Sequence, residues 1–193
     1  SGAKRTFGQT GGLKGRKLWT TDAGFRVPGI IHWMGRSVYN GTSDAVVSAL
    51  DLLPTLCELT GAELPNKELD GESFSSLFEK GEFQRKKPIL YSFYNALNEH
   101  QLAMRHGNYK ILARLKNNGQ YLPNLNNMYS GNEKLIKTSK LSDFELYDLK
   151  EDRSETDNLI TKKPEIFAEM KKLLEVEYGQ LLAGSHIWER ERP

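Results

Sequence analysis

Cysteine is nearly absent: one residue in 193, Cys57, which rules out an intrachain disulfide and says little about compartment. Excess charge of one sign is also missing, since 27 Lys and Arg stand against 25 Asp and Glu for a formal net charge of +2. The basic residues are spread along the chain, so nothing points to nucleic acid or to an anionic membrane surface. No apolar run approaches the ~20 residues that a membrane-spanning helix needs. The first residues, SGAKRTFGQTGG, lack the apolar core of a signal peptide, and Ser1-Gly2 reads as a cloning remnant. What remains is 38% hydrophobic, 10% aromatic and 27% charged, enough to bury one ordinary core or a core plus a small lobe.

Residues 1–17 are Gly-rich and basic and read as loop. Val27–Trp33 (VPGIIHW) is short and apolar, opened by Pro28, and reads as a buried strand with His32 as a satisfied core histidine. Ser43–Gly61 carries apolar residues at helical spacing. Ser43 or Asp44 is the expected N-cap and Gly61 the stop, with a break or two short helices near Leu53 on account of Pro54, and Cys57 in the core. A connector follows, with a short helix near Phe74–Glu79 and a solvated turn at QRKKP, 84–88. From Pro88 the character becomes β: Ile89–Tyr94, Gln101–Arg105 and Tyr109–Ala113, the last two joined through His106-Gly107-Asn108, then Phe144–Leu149. Asn117–Lys140 is long, polar and Asn-rich, and reads as a loop. Pro164–Leu182 is amphipathic with proline at its start, and is expected to cover one sheet face. The sum is α+β: a strand–helix unit, then a four-stranded antiparallel sheet packed on a C-terminal helix. Asn40-Gly41-Thr42 fits the glycosylation triplet.

The stretch that organises the chain is Gly12–Pro28, GLKGRKLWTTDAGFRVP. Glycines at 11, 12 and 15 let the backbone approach an anion, and Lys14 and Lys17 bring ammonium groups to the same place. Taken as chemistry alone, the pattern fits a solvated basic loop as well as an anion-facing one.

Order and spacing add to this. Lys17, Asp22, Gly24, Arg26 and Pro28 resemble the Lys loop of type I sulfatases, with its Thr-Thr/Tyr-Glu-Gly-Gly-x-Arg-x-Pro, and Ala23 stands where the first Gly of the pair would be. Further along, Leu50-Asp51-Leu52-Leu53-Pro54-Thr55-Leu56 and Leu69-Asp70-Gly71 resemble elements of the same family. So do Arg105 with Tyr109-Lys110, Glu145-Leu146-Tyr147-Asp148-Leu149, and Asp152 to Leu159. The matches run in one order over nearly the whole chain.

The resemblance implies the end of an alkaline-phosphatase-like α/β domain over residues 1–66 and a C-terminal α+β sheet domain over 67–193. It implies sulfate-ester hydrolysis for the parent protein, with Lys17 as the catalytic lysine at the sulfate. Calcium and a formylglycine derived from cysteine are expected in a missing N-terminal catalytic domain. Neither is expected in this chain: Cys57 is followed by Glu58-Leu59-Thr60-Gly61, which is not the formylglycine motif, and no Asp-rich calcium motif occurs. The chain alone is therefore expected to be inactive, and no metal ligand is assigned. Implied partners are the missing domain and a sulfated saccharide or aryl sulfate, and the implied compartment of the parent is periplasmic, secreted or lysosomal.

The loop Tyr94–His100 gathers amide, carboxylate and imidazole groups, and Asn98 and His100 are the candidates for touching a hydroxyl-rich substrate. Asp22 and Arg26 are read as an ion pair supporting the Lys17 loop. Two other readings stay open: a non-catalytic module that holds sulfated glycan, and a structural segment that docks on the rest of a sulfatase.

Overall fold

The computed structural model describes residues 9–35 and 37–190. Two compact units divide the chain, one formed by residues 1–26 with 90–193 and the other by residues 27–89.

The first unit is built on an open antiparallel sheet. Its strands are β1 (Ile89–Ser92), β2 (Leu102–His106), β3 (Tyr109–Asn117), β4 (Gln120–Tyr121) and β5 (Lys140–Asp148). Strand β3 is central, pairing with β2 and β4 along one edge and with β5 along the other. The β2–β3 hairpin closes at His106 and Tyr109, and Gly107 supplies the positive φ of the tight turn. The expected four strands gain a fifth, because the Asn118-Gly119 turn folds β4 back on the end of β3. The stretch 117–140 is thus ordered chain rather than one long loop. It also holds a short helix, α4 (Glu133–Lys137), and sends Leu122, Met128 and Ile136 into the core.

Residues opposite one another across the ladder share a face. On one face Leu102, Met104, Ile111, Ala113, Leu115 and Leu146 bury against Met170, Leu174 and Tyr178 of α5, the helix Pro164–Gly184. Proline stands in the first turn of α5, where its missing N–H has no intrahelical partner to lose. The other face carries Ala103, Leu112, Tyr147 and Leu149, together with Lys110. Residues 12–26 lie over that second face. Phe25, in the one-turn helix α1 (Asp22–Phe25), stacks on Tyr91 at 4.2 Å between ring centroids, and Ser154 donates from Oγ to the Gly12 carbonyl.

The second unit departs further from expectation. Val27–Trp33 forms no strand, and Val27, Ile30 and Ile31 are exposed, as is His32. A strand needs a ladder partner for its N–H and C=O groups, and no described residue offers one to this run. Two short helices do meet near Leu53, a 3-10 turn over Ala49–Asp51 and an α-helix after it, and Pro54 does not break the second. It lies in the first turn of α2 (Leu52–Thr60), where proline is tolerated. The N-cap device is Ser48, later than the expected Ser43 or Asp44, in a capping box with Asp51 at the Ala49–Asp51 3-10 turn. Gly61 ends α2 in the left-handed conformation, Cys57 is buried, and a short helix α3 spans Ser76–Lys80.

Arg85 corrects the solvated turn expected at 84–88. Its side chain is buried on the Asp51 carboxylate, which also accepts the N–H of Ser48 at 2.6 Å and of Glu72 at 2.9 Å. Gly71, of the Leu-Asp-Gly turn, runs so close to the 3-10 turn ahead of α2 that a Cβ there would meet the Leu50 carbonyl oxygen at 2.0 Å.

Candidate functional site

Lys17 occupies the tip of a tight turn in which the Trp19 N–H donates to the Arg16 carbonyl at 3.0 Å. Leu18 follows at φ 71°, a conformation in which a branched side chain costs roughly 1–3 kcal/mol. The turn is held in spite of that. The Leu97 N–H donates to the Leu18 carbonyl at 2.9 Å, and Thr20 is gripped by the Asn98 amide through Oδ1 and Nδ2. Thr20 Oγ1 in turn donates to the His100 carbonyl at 2.8 Å. On the other side, Thr21 Oγ1 and the Ala23 N–H both reach the Lys14 carbonyl. Lys17 is exposed and engages no described residue by hydrogen bond or ion pair.

Beneath the turn lies a buried charge cluster. Lys110, 1% exposed on β3, places Nζ 2.9 Å from Asp22 Oδ1 and 3.0 Å from Glu155 Oε1. Glu155 is itself fully buried, and its Oε2 accepts the Asp22 N–H at 2.8 Å. Arg26 is a secondary partner of Asp22, at 3.7 Å and half exposed. Asp22 and Arg26 therefore do pair, but the short contacts of Asp22 run to the sheet. Lys110 and Glu155 stand within the matched stretches Tyr109-Lys110 and Asp152 to Leu159, but no site role was expected of either from sequence. The signal for the first was a lysine inside the apolar run Tyr109–Ala113.

Burial pushes the Glu155 carboxyl up, more strongly than the Lys110 ammonium and the Asp22 N–H pull it down. A carboxyl raised on folding favours the folded state most while it is protonated, so its contribution is complete below the unfolded value. That contribution is lost as pH rises through the folded one. Replacing Glu155 with Gln removes this slope. The stability of Glu155→Gln relative to wild type is expected to climb as pH rises above the ordinary glutamate value, read from urea midpoints at half-unit intervals. A difference that stays flat or falls with pH contradicts the cluster as described.

Beside the turn, a cleft of about 260 Å³ is lined by Lys14, Trp19, Asn98, Glu99, His100 and Glu145, among others. Lys14 Nζ donates to the Tyr147 hydroxyl at 2.9 Å, and that hydroxyl donates to Glu145 Oε2 at 2.8 Å. Burial and the Glu145 carboxylate push the Tyr147 phenol well up, so it keeps its proton. Each nitrogen of the His100 ring faces a carbonyl oxygen, Nδ1 that of Asn98 at 3.1 Å and Nε2 that of Asp143 at 3.2 Å, and the nitrogen that carries the proton donates. The structure thus brings Asn98 and His100 into one cleft and places Lys17 outside its lining.

The residues present do not fit a calcium site: among those described, no three His, Cys, Asp or Glu side chains converge as a metal ion requires. Cys57 is buried in α2, with Sγ 3.7 Å from the Glu63 carbonyl. Among the described residues no helix is long and apolar enough to cross a membrane.

Comparison with known proteins places this geometry. Bovine (Bos taurus) arylsulfatase A is 38% identical over 104 residues, covering 53% of this chain and 20% of that protein. Mouse (Mus musculus) arylsulfatase G is 44% identical over 68 residues, covering 34% of this chain and 13% of that protein. The chain thus spans at most a fifth of the length of either relative. A Bacteroides thetaiotaomicron sulfatase from a glycosaminoglycan-metabolising locus shares the fold, with a TM-score of 0.63 at 24% identity over 86% of this chain and 32% of that one. Residues 15–121, which hold the Lys17 turn, the Asp51 helix and the first four strands, match the model of the family described as N-sulphoglucosamine sulphohydrolase, C-terminal. That is more than half of the sequence, and the chain belongs to this family of sulfatase C-terminal regions.

Proposed function

We propose that this chain supplies the Lys17 ammonium to a site that hydrolyses sulfate esters of glycans, while the nucleophile and the calcium ligands come from elsewhere in the parent sulfatase. The observation that carries the proposal is a cation held out on a costly turn with no counter-ion among the described residues. An ammonium so placed meets the negative charge on the sulfate oxygens and on the departing ester oxygen, where charge develops during cleavage. His100 and Asn98, beside Lys14 and Glu145 in the cleft, are the proposed contacts to sugar hydroxyls. Of the two, Asn98 also ties the turn through Thr20, so its effect on substrate is partly indirect. The exposed apolar residues Val27, Ile30, Ile31, Met34, Leu53 and Leu56 support docking of residues 27–64 on the remainder of a sulfatase α/β domain.

The test uses the chain with 4-nitrophenyl sulfate and with a sulfated disaccharide. No nitrophenol release is expected with or without calcium, and turnover lost in Lys17→Ala would place the nucleophile in this chain after all. Binding of the disaccharide is expected to weaken about tenfold in Lys17→Ala, the loss of one charge-assisted contact. Equal affinity for both proteins would refute the assignment of Lys17.

A further inference from the structure

We propose that Lys110 and Glu155 are positioning residues for Lys17, and that the buried cluster they form with Asp22 sets where the ammonium points. The inference rests on the reading of Lys17 as the sulfate-facing group. Neither residue touches Lys17, and the link runs through α1. Asp22 opens that helix and is fixed twice, by its carboxylate on Lys110 Nζ and by its backbone N–H on Glu155 Oε2. Two residues on, Gly24 lies against the turn itself. A Cβ at Gly24 would sit 2.0 Å from the Trp19 carbonyl oxygen and 3.0 Å from that of Arg16, the two residues that close the turn on Lys17. With no slack between α1 and the turn, a shift of Asp22 is passed to Lys17.

The way Glu155 is delivered also argues for placement. Its backbone is held at φ 50°, and the Asp152 carboxylate braces the loop by accepting the N–H groups of Thr156 and Asp157 at 2.7 and 2.8 Å. A lysine buried between two carboxylates is a poor route to stability, because desolvation offsets the attraction, and apolar residues of similar size would serve as well. What such a cluster provides over an apolar patch is direction. Its short contacts fix one side chain and one backbone N–H together.

The test is 1H–15N NMR on the full chain as wild type, Lys110→Met, Lys110→Arg and Glu155→Gln, with inorganic sulfate as the probe. In wild type the Lys17 and Leu18 amides are expected to be as ordered as those of Ile111 and Leu146. In Lys110→Met the heteronuclear NOE at Lys17 and Leu18 is expected to drop while the sheet amides hold, with the sulfate affinity read at Lys17 falling about tenfold. Lys110→Arg is expected to restore part of both. Glu155→Gln, which keeps the size of the side chain, decides the matter if Lys110→Met does not fold. Unchanged order at Lys17 in Glu155→Gln overturns the proposal. A wild-type Lys17 that is ordered but indifferent to sulfate sinks the sulfate reading and leaves the positioning intact.

Discussion

Lys110→Met is expected to cost about 3–5 kcal/mol of folding stability, measured by urea denaturation followed by circular dichroism. The wild-type ammonium stands about 3 Å from two carboxylate oxygens, Asp22 Oδ1 and Glu155 Oε1, with almost no water access. Methionine fills the space and leaves both carboxylates facing each other without a cation. One of them must then take up a proton or the loop must lift off the sheet, and either route consumes stability. Adding Glu155→Gln to Lys110→Met removes one of the two stranded charges, so the double variant is expected to be more stable than Lys110→Met alone. That sign of non-additivity belongs to residues in one electrostatic cluster and not to independent sites. A loss below about 1 kcal/mol for Lys110→Met would mean that water reaches the cluster freely and that it is an ordinary surface pair.

The same cluster marks where sequence reading stops. The order Lys17, Asp22, Gly24, Arg26, Pro28 was legible because it is local, and Arg26 was the natural partner for Asp22 at helical spacing. The nearer partner lies 88 residues away, and nothing local announces it except a lysine in an apolar strand. Lys110 belongs to the face of β3 that also carries Leu112, so alternation alone assigns it neither to solvent nor to core. The sheet was legible as a whole, since Tyr109–Ala113 and Phe144–Leu149 alternate or run apolar as half-buried strands do. The short β4 was not, because the Asn118-Gly119 turn sits in a polar stretch with two residues of strand after it. Val27–Trp33 shows the opposite error. Apolar composition predicts what a segment prefers to contact, and only the ladder predicts whether it is a strand. Pro54 marked two short helices near Leu53, and two do meet there, but the proline itself is harmless because it sits in the first turn of the helix that begins at Leu52.

Asp51 carries the second large effect, and the reason is that it serves three partners at once. Its carboxylate caps Ser48, accepts from the Glu72 N–H and neutralises Arg85, all from a site with no exposed surface. Asp51→Ala strands the Arg85 guanidinium, whose side chain is 5% exposed, and leaves two backbone N–H groups without their acceptor. The expected loss is about 3–5 kcal/mol, as for a buried pair deprived of one member. Asp51→Asn should fall between Asp51→Ala and wild type, because its amide keeps one acceptor oxygen but offers Arg85 no charge. Hydrogen exchange separates this from a general weakening: α2 amides such as those of Leu56 and Cys57 should lose protection in both variants, in the order Ala above Asn. If Asp51→Asn proves as damaging as Asp51→Ala, the charge on Arg85 governs the site and the N–H acceptor roles are minor. If both lie within about 1 kcal/mol of wild type, Arg85 has found water, and the buried pair does not hold residues 27–89 together.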